Sequence, residues 1–222
     1  MDIEIKDIHK KYGSKYVLNG INLVVDAGKC IGILGSNGSG KSTLLSILAG
    51  VQPADDGSFL FDGNDLFKYS ADYSCLVGYV PQGTPLIEEL TAYDNLLLWY
   101  DKKTLKKELA EGLLKSLGID EFLKTTVSKM SGGVKKRLSI GCAVAEKPSV
   151  LLLDEPMAAL DIVCKQNISE YIKMHKAAGG IVLLATHDLL ELELCDEWYI
   201  IKDGLLTRFE YNGNIEELVK SL

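Results

Sequence analysis

Residues 35–42 decide the fold, and they read Gly35-Ser36-Asn37-Gly38-Ser39-Gly40-Lys41-Ser42. This stretch matches the pattern G-x-x-x-x-G-K-[ST] in full. The residues before it, 29–34, are almost all apolar, which predicts a short strand buried on both faces. The residues after it, 42–49, carry leucines at helical spacing and stop before Gly50, which suits a helix C-terminus. The sequence therefore predicts an α/β fold built around a strand, a glycine-rich loop and a helix.

A glycine-rich loop in this context predicts a phosphate site. Glycines allow consecutive backbone N–H groups to surround a phosphate chain, and the helix N-terminus adds its positive end. We expect Lys41 to reach the β- and γ-phosphates and the Ser42 hydroxyl to bind Mg²⁺. The alternative is a flexible Gly/Ser loop ahead of a helix cap. The expected contacts to a nucleoside triphosphate are Gly35, Ser36, Asn37, Gly38, Ser39, Gly40, Lys41, Ser42 and Thr43.

Two carboxylates follow the apolar run 150–153. Open α/β sheets bind ligands at the carboxyl ends of their strands. We expect Asp154 to hold Mg²⁺ through water and Glu155 to orient or deprotonate an attacking water, because phosphoryl cleavage depends on positioning and charge stabilisation. An acidic turn after a strand is common by itself. Together with the phosphate loop, it predicts a site that hydrolyses a nucleotide.

Composition excludes several other functions. The 222 residues include 24 Lys+Arg and 31 Asp+Glu, so the net charge of −7 offers no general footprint for nucleic acid. No apolar run approaches the roughly 18–20 residues that span a bilayer, so we expect no direct membrane insertion. Residues 1–12 lack the apolar segment of a secretory signal. Five widely spaced cysteines favour reduced thiols over disulfides or zinc. A cytosolic α/β domain is expected.

The order of segments predicts one α/β core interrupted by helices. Strands and tight turns fill the first 65 residues, and strand/helix alternation returns after Pro148. Between them, Thr91 and Asp94 have the spacing of a capping box, and residues 104–117 are amphipathic. Asn214 and Glu217 predict a short terminal helix. We expect a single domain over 1–222, with a core at 1–82 and 148–222 and a helical subdomain at about 83–147.

The phosphate loop alone leaves kinases, GTPases, helicases and motor ATPases open, and residues 130–138 narrow the choice. They read Met-Ser-Gly-Gly-Val-Lys-Lys-Arg-Leu. A serine N-cap followed by Gly132 and Gly133 exposes a hydroxyl and free N–H donors to an anion, although an ordinary helix start is the alternative. The stretch resembles the signature sequence of ABC (ATP-binding cassette) ATPases. It also precedes the acidic strand by about twenty residues, as in that family.

The resemblance covers nearly the whole chain and implies a fold. The family has a P-loop NTPase core with a mostly parallel sheet, an N-terminal antiparallel β-subdomain and an inserted α-helical subdomain. Two cassettes, identical or different, sandwich two ATP molecules head to tail. Ser131, Gly132 and Gly133 of one cassette then contact the ATP held by the other. ATP and Mg²⁺ are the implied cofactors.

The resemblance also implies roles for four further residues. Tyr12 matches the aromatic that stacks on adenine, although core packing would also suit a tyrosine there. Gln82 matches the glutamine that contacts Mg²⁺ and links the two subdomains, and its alternative is a polar loop residue. Asp161, in the loop 158–161, matches a segment that crosses to the partner, and His187 matches the histidine at the γ-phosphate. The implied catalytic set is Lys41, Gln82, Glu155 and His187.

Two positions depart from the family pattern. Val134 stands where a glutamine or another long side chain is common, so dimer closure is expected to be tuned differently. Met157 replaces a polar residue that often follows Pro156. Neither change removes a residue expected at Mg²⁺ or water, so we expect an active ATPase.

The resemblance implies a transporter whose membrane-spanning subunit is a separate polypeptide, with this chain peripheral to the membrane on its cytoplasmic face. Residues 86–100 form an apolar and aromatic cluster that suits either docking of that subunit or the helical subdomain's own core. The sequences of residues 90–96 and 137–140 most resemble those of single-cassette exporters. The alternatives are a soluble ABC ATPase that remodels a cytosolic complex, and a nucleotide-dependent scaffold without turnover.

Overall fold

A computed structural model describes residues 1–68, 73–186 and 189–211 of the protein. Within these ranges the strands are β1 (Asp2–Tyr12), β2 (Lys15–Asp26), β3 (Cys30–Leu34), β4 (Asp56–Phe61), β5 (Asn64–Asp65), β6 (Val77–Val80), β7 (Val150–Asp154), β8 (Ile181–Ala185), β9 (Glu197–Lys202) and β10 (Leu205–Phe209). The α-helices are α1 (Lys41–Leu48), α2 (Tyr73–Leu76), α3 (Ala92–Leu96), α4 (Lys102–Glu111), α5 (Leu113–Ser116), α6 (Gly132–Ala143), α7 (Ile162–Ala177) and α8 (Leu189–Leu192). The terminal helix expected at Asn214 and Glu217 lies outside the described residues.

The first strands form an antiparallel sheet in the order β2-β1-β4-β5. The alternating apolar residues of β1, such as Ile3 and Ile5, are buried, while the residues between them are more exposed. This period-two pattern places one face of the sheet against the protein interior. The antiparallel β-subdomain expected at the N-terminus is confirmed.

The larger sheet has the order β10-β9-β3-β8-β7-β6. All neighbouring pairs are parallel except β9 and β10, which are antiparallel. Every residue of β3, β7 and β8 is buried, as their continuous apolar runs predict. The edge strand β6 carries no such signal, because it is short and contains Gly78. A Cβ at Gly78 would lie 2.5 Å from the Ala143 carbonyl oxygen, so this strand needs glycine where α6 packs closely.

The segment between β6 and β7 is helical. The Thr91 side chain accepts from the Asp94 N–H, and the Asp94 side chain accepts from the Thr91 N–H, which confirms the capping box. Residues 104–117, expected as one helix, are instead divided between α4 and α5. Gly112 is extended between them, and the Glu108 carboxylate accepts a hydrogen bond from the Leu113 N–H at 3.1 Å. A glycine and a competing side-chain acceptor interrupt the helix there.

The large sheet is covered on both faces. In β7, Val150 and Leu152 join a core shared with β1, β4 and α1, whereas Leu151 and Leu153 join a core shared with α6 and α7. Such a sheet, with layers on both sides, is the expected α/β architecture, and the fold class is confirmed. Within the described ranges, no helix has both the length and the apolar character that crossing a membrane requires.

Candidate nucleotide-binding site

The sheet order brings four loops to one edge. Strands β3, β8, β7 and β6 are parallel neighbours, so the residues that follow their carboxyl ends lie side by side. Backbone hydrogen bonds join the first loop residue to the end of the neighbouring strand: the Thr186 N–H donates to the Ile33 carbonyl at 3.4 Å, and the Glu155 N–H donates to the Ala185 carbonyl at 2.9 Å. The phosphate loop after β3 and the carboxylates after β7 therefore share one site.

Two glycines of the phosphate loop have backbones that exclude other residues. Gly40 has φ +114°, and a Cβ there would lie 2.9 Å from Leu18 Cδ2 and 3.0 Å from the Val17 carbonyl oxygen. Gly35 has φ +150°, and its Cβ would lie 2.6 Å from the Ile201 carbonyl oxygen. At Gly38 (φ +78°), by contrast, a Cβ would meet nothing within 4 Å. The loop is packed against the protein at both ends and leaves room in its middle, as a phosphate cradle requires.

Lys41 lies inside this loop. Its side chain is 6% exposed, and its Nζ donates to the Gly35 carbonyl at 2.6 Å and to the Ser36 carbonyl at 3.2 Å. Burial lowers the pKa of Lys41, while the nearby carboxylates of Glu155 and Asp154 act in the opposite direction. A buried ammonium group held at the loop is placed to bind phosphate oxygens.

Asp154 fits a divalent cation. The residue is 2% exposed, and burial raises the pKa of its carboxyl group above the usual 3.8, partly offset by a hydrogen bond with Ser42. Its Oδ2 atom is buried without a hydrogen-bond partner among the described residues. An oxygen buried without a hydrogen-bond partner is costly, and a divalent cation would offset that cost. Asp154 and Ser42 supply only oxygen ligands, which Mg²⁺ prefers.

Gln82 and Glu155 are in direct contact. The Gln82 Nε2 atom donates to the Glu155 Oε2 atom at 3.1 Å, although 73 residues separate the two in sequence. Glu155 has φ +48°, a left-handed backbone conformation that is uncommon for a non-glycine residue. Strain of this kind is often concentrated at functional sites, where it fixes the direction of a side chain.

The helix end expected to contact a second ATP is exposed. Ser131 caps α6 by accepting a hydrogen bond from the Val134 N–H at 3.4 Å, and both Ser131 and Gly132 are exposed. No hydrogen bond in the described part of the chain joins this helix end to residues 35–43 of the same subunit. Ser131 and Gly132 are therefore accessible to a ligand held by another molecule.

The remaining predicted residues have different surroundings. Tyr12 ends β1 and is 50% exposed, which excludes core packing, and its hydroxyl donates to the Gln52 side chain. The Asp161 carboxylate caps α7 by accepting from the Cys164 N–H at 2.9 Å, and this bond lowers the pKa of Asp161. His187 lies outside the described residues, so its expected role at the γ-phosphate stays a prediction.

The two departures from the family pattern lie inside the subunit. Val134 is 6% exposed and Met157 is 1% exposed, and both belong to the core beneath the helical segment. The Val134 side chain packs into its own subunit, on the inward face of α6 with Leu138. The expected effect of Val134 on dimer closure stays a prediction.

One polar residue of the site carried no signal in the sequence. Lys136 is 5% exposed, and its Nζ donates to the Pro81 carbonyl at 2.7 Å and to the Asp154 carbonyl at 3.3 Å. In the sequence it is indistinguishable from its neighbour Lys135, whose ammonium group instead pairs with Glu88 at 2.7 Å. Only the packing of α6 against the sheet separates the two lysines.

Comparisons with known proteins agree with this geometry. The family model described as ABC transporter matches residues 18–158. The linearmycin resistance ATP-binding protein LnrL of Bacillus subtilis is 36% identical over 208 residues, which are 91% of this chain and 67% of that protein. The lantibiotic transport ATP-binding protein SrtF of Streptococcus pyogenes is 31% identical over 220 residues, which are 97% of this chain and 95% of that protein.

Solved structures are similar over the same extent. The ATP-binding subunit of an ABC transporter has a TM-score of 0.89 and 26% identity, with coverage of 100% of this chain and 99% of that chain. A dimeric, post-hydrolysis form of the ATP-binding cassette MJ0796 bound to ADP and Pi has a TM-score of 0.82 and 26% identity, with coverage of 94% and 99%. The chain therefore belongs to the ABC transporter family, as an ATP-binding subunit that hydrolyses ATP with Mg²⁺.

Proposed function

We propose that this chain powers a transporter whose membrane-spanning part is a separate subunit, through a head-to-tail dimer of cassettes that closes on two ATP molecules. The exposed, serine-capped end of α6 carries this proposal, since no hydrogen bond in the described ranges joins it to the phosphate loop of its own subunit. MJ0796, a cassette of the same fold, has a dimeric structure. ABC ATP-binding subunits in general act as dimers with membrane subunits. The proposed dimer would contain either two copies of this chain or this chain and a different cassette.

Each site in the dimer would combine residues of both cassettes. Residues 35–43 hold the triphosphate from one side, Lys41 binds the β- and γ-phosphates, and Tyr12 stacks on the adenine. Ser131, Gly132 and Gly133 of the partner cassette close the other side, with Asp161 at the crossing loop. Ser42, Gln82 and Asp154 would hold Mg²⁺, which would supply positive charge to the phosphate oxygens.

Hydrolysis would use a water molecule held at the end of β7. Glu155 accepts a proton as the water oxygen bonds to the γ-phosphorus, and the bond to the ADP oxygen breaks. Gln82 donates to Glu155 at 3.1 Å, which fixes the carboxylate and links it to the segment that leads into the helices. His187 would hold the γ-phosphate from the neighbouring strand end. Loss of the γ-phosphate then reopens the dimer.

A groove between the core and the helical segment suits the membrane subunit. Its volume is about 1000 Å³, and none of residues 35–43 lines it. Leu96 and Tyr100 are buried in the subunit's own core, but Leu98 is 58% exposed and Trp99, which lines the groove, is 49% exposed. The cluster at residues 86–100 is thus divided between the core and the surface. We propose that a cytoplasmic helix of the membrane subunit packs against Trp99, which would place this chain on the cytoplasmic face of the membrane.

We further propose an export function of the antibiotic-resistance kind. LnrL and SrtF, by their names, serve linearmycin resistance and lantibiotic transport. A spermidine/putrescine importer subunit, PotA of Spiroplasma citri, is also 36% identical, over 210 residues. Identity alone therefore gives no direction of transport. Export is favoured by the sequences of residues 90–96 and 137–140, which most resemble those of single-cassette exporters.

Glu155→Gln tests the hydrolytic mechanism. The variant should bind ATP, stop multiple turnover and accumulate as an ATP-bound dimer in size-exclusion chromatography. Adding Ser131→Arg to Glu155→Gln should return it to an ATP-bound monomer, because a long cation would then occupy the partner's phosphate contact. Continued turnover by Glu155→Gln would overturn the role of Glu155, and a dimer that tolerates Ser131→Arg would overturn the head-to-tail arrangement.

The membrane partner is tested through the groove. An affinity-tagged chain should recover an integral membrane protein from detergent extracts, and Trp99→Arg should abolish that recovery while leaving ATP hydrolysis intact. Recovery of a cytosolic complex in its place would favour the alternative, an ABC ATPase that remodels other proteins.

A further inference from the structure

Lys136 joins three parts of the nucleotide-binding edge. It lies on α6, one turn after the serine cap, and its Nζ donates to the carbonyl oxygens of Pro81 at 2.7 Å, Gln82 at 3.4 Å and Asp154 at 3.3 Å. These carbonyls follow the carboxyl ends of the neighbouring strands β6 and β7. A single side chain therefore bridges the signature helix, the segment containing Gln82 and the strand end containing Asp154.

The arrangement uses the whole ammonium group. Lysine has three N–H donors and no acceptor, and here three carbonyl oxygens lie within hydrogen-bond distance. Burying an ammonium group is costly unless its donors are satisfied and negative charge is near. Burial lowers the pKa of Lys136, and the carboxylates of Asp154, Glu191 and Glu155 counteract that effect. Among the described residues, backbone oxygens and not carboxylates accept the hydrogen bonds of this cation.

The position of these contacts relates them to catalysis. Gln82 and Asp154 are two of the proposed Mg²⁺ ligands, and Lys136 bonds their main-chain carbonyls and not their side chains. Ser131, at the end of the same helix, is proposed to contact ATP of the partner. Less than two helical turns separate Ser131 from Lys136. A displacement of α6 would therefore also move the segments that contain the two metal ligands.

We propose that Lys136 is a positioning residue that fixes Gln82 and Asp154 relative to the signature helix, so that closure of α6 on the partner's ATP completes the Mg²⁺ site of its own subunit. This inference rests on the proposed dimeric mechanism. Lys136 touches neither ATP nor the metal ion and acts through the two segments that it holds.

The test compares Lys136→Met with Lys135→Met in the full 222-residue chain. Lys135→Met removes a cation from the adjacent position of the same helix, where it pairs with the exposed Glu88. Melting temperatures are measured with AMP-PNP in EDTA and with AMP-PNP at increasing Mg²⁺. ATPase assays at saturating Mg²⁺ supply kcat and KM. Lys136→Gln, which keeps two N–H donors on a shorter side chain, is measured alongside.

In EDTA, AMP-PNP should stabilise Lys136→Met as much as it stabilises wild type. The Mg²⁺ concentration that gives half of the additional, Mg²⁺-dependent stabilisation should be at least tenfold higher than for wild type. The kcat of Lys136→Met should fall at least tenfold with KM for ATP within threefold of wild type. Lys136→Gln should have a Mg²⁺ requirement and a kcat between those of Lys136→Met and wild type. Lys135→Met should match wild type in both. A wild-type Mg²⁺ requirement in Lys136→Met, or an equal loss in Lys135→Met, would overturn the inference.

Two further results are decisive. If Lys136→Met does not fold, Lys136→Gln makes the comparison, and a wild-type Mg²⁺ requirement in that variant overturns the inference. If the wild-type protein itself shows no Mg²⁺-dependent stabilisation, the proposed function and this inference both fail. A normal wild type with unaffected Lys136 variants removes this inference alone.

Discussion

Asp154→Asn is expected to change stability in opposite directions with and without Mg²⁺. Asp154 is 2% exposed, and its Oδ2 atom lacks a hydrogen-bond partner among the described residues. Without a metal ion, the ionised carboxylate therefore destabilises the folded protein. The neutral amide of the same shape should destabilise it less. With Mg²⁺ and nucleotide, the same carboxylate is a proposed ligand, and the amide is a much weaker one.

The sizes of both effects follow from burial and mass action. Leaving a buried polar group unpaired costs about 1–3 kcal/mol, and more when the group is charged, so exchanging the carboxylate for a neutral amide should gain about 1–2 kcal/mol in the apo protein. For a chain of this size that corresponds to an apparent Tm about 2–8 °C higher. Ligand at a hundred times its Kd stabilises by about 2.7 kcal/mol, so the variant should lose about 5–11 °C of the Mg²⁺–AMP-PNP stabilisation.

The pH dependence has a defined sign. Burial raises the pKa of Asp154 in the folded state, so the folded protein binds this proton more tightly than the unfolded chain. The destabilising contribution is therefore absent below the usual value of 3.8 and grows as pH rises through the raised pKa. The advantage of Asp154→Asn over wild type in EDTA should shrink as the buffer is acidified.

Thermal denaturation in EDTA and in Mg²⁺ with AMP-PNP checks all three expectations. Asp161→Asn is the control, because hydrogen bonding lowers the pKa of that exposed carboxylate and asparagine also caps helices. It should not raise the Tm of the apo protein. If Asp154→Asn melts below wild type in EDTA, or keeps the full Mg²⁺-dependent stabilisation, the assignment of Asp154 as a metal ligand whose buried charge destabilises the apo protein is wrong.

Two further substitutions test the loop and the signature helix. Gly40→Ala should weaken ATP binding at least tenfold with little loss of stability outside the loop, because its Cβ would meet Leu18 and Val17 at φ +114°; isothermal titration with ATP measures this, and unchanged affinity would contradict the packed cradle. Val134→Gln, which restores the residue common in the family, should lower the free energy of unfolding by about 1–3 kcal/mol, because an amide would be buried at a position that is 6% exposed. Urea denaturation supplies the value, and a gain in stability would contradict the inward orientation.

Local sequence predicted the parts of the site that a short stretch of chain can encode. The phosphate loop, the buried strands β3, β7 and β8, and the capping box at Thr91 depend on residues within a few positions of one another. Their signals are glycine spacing, continuous apolar runs and a side chain that bonds the N–H three residues later. The fold class followed, because a phosphate loop between a strand and a helix occurs in an α/β sheet.

The sequence was less informative about helix boundaries and burial where these depend on contacts outside the local pattern. Gly112 divides the amphipathic segment 104–117, and the signal for a single helix did not include the Glu108 carboxylate that bonds the Leu113 N–H. In the cluster at residues 86–100, periodicity could not separate Leu96 and Tyr100, which are buried, from Leu98 and Trp99, which are not. Burial depends on what packs against a residue, and that is not a local property.

The sequence by itself predicted a nucleoside triphosphate site and the residues expected around its phosphates, because a phosphate chain needs a continuous run of backbone donors. The tertiary structure alone decided which distant residues meet. It places Gln82 on Glu155 across 73 residues and Lys136 on the Pro81 carbonyl across 55 residues. The order of strands in the sheet and the approach of α6 to its edge set both contacts, and long-range pairing of this kind leaves no periodic trace in the chain.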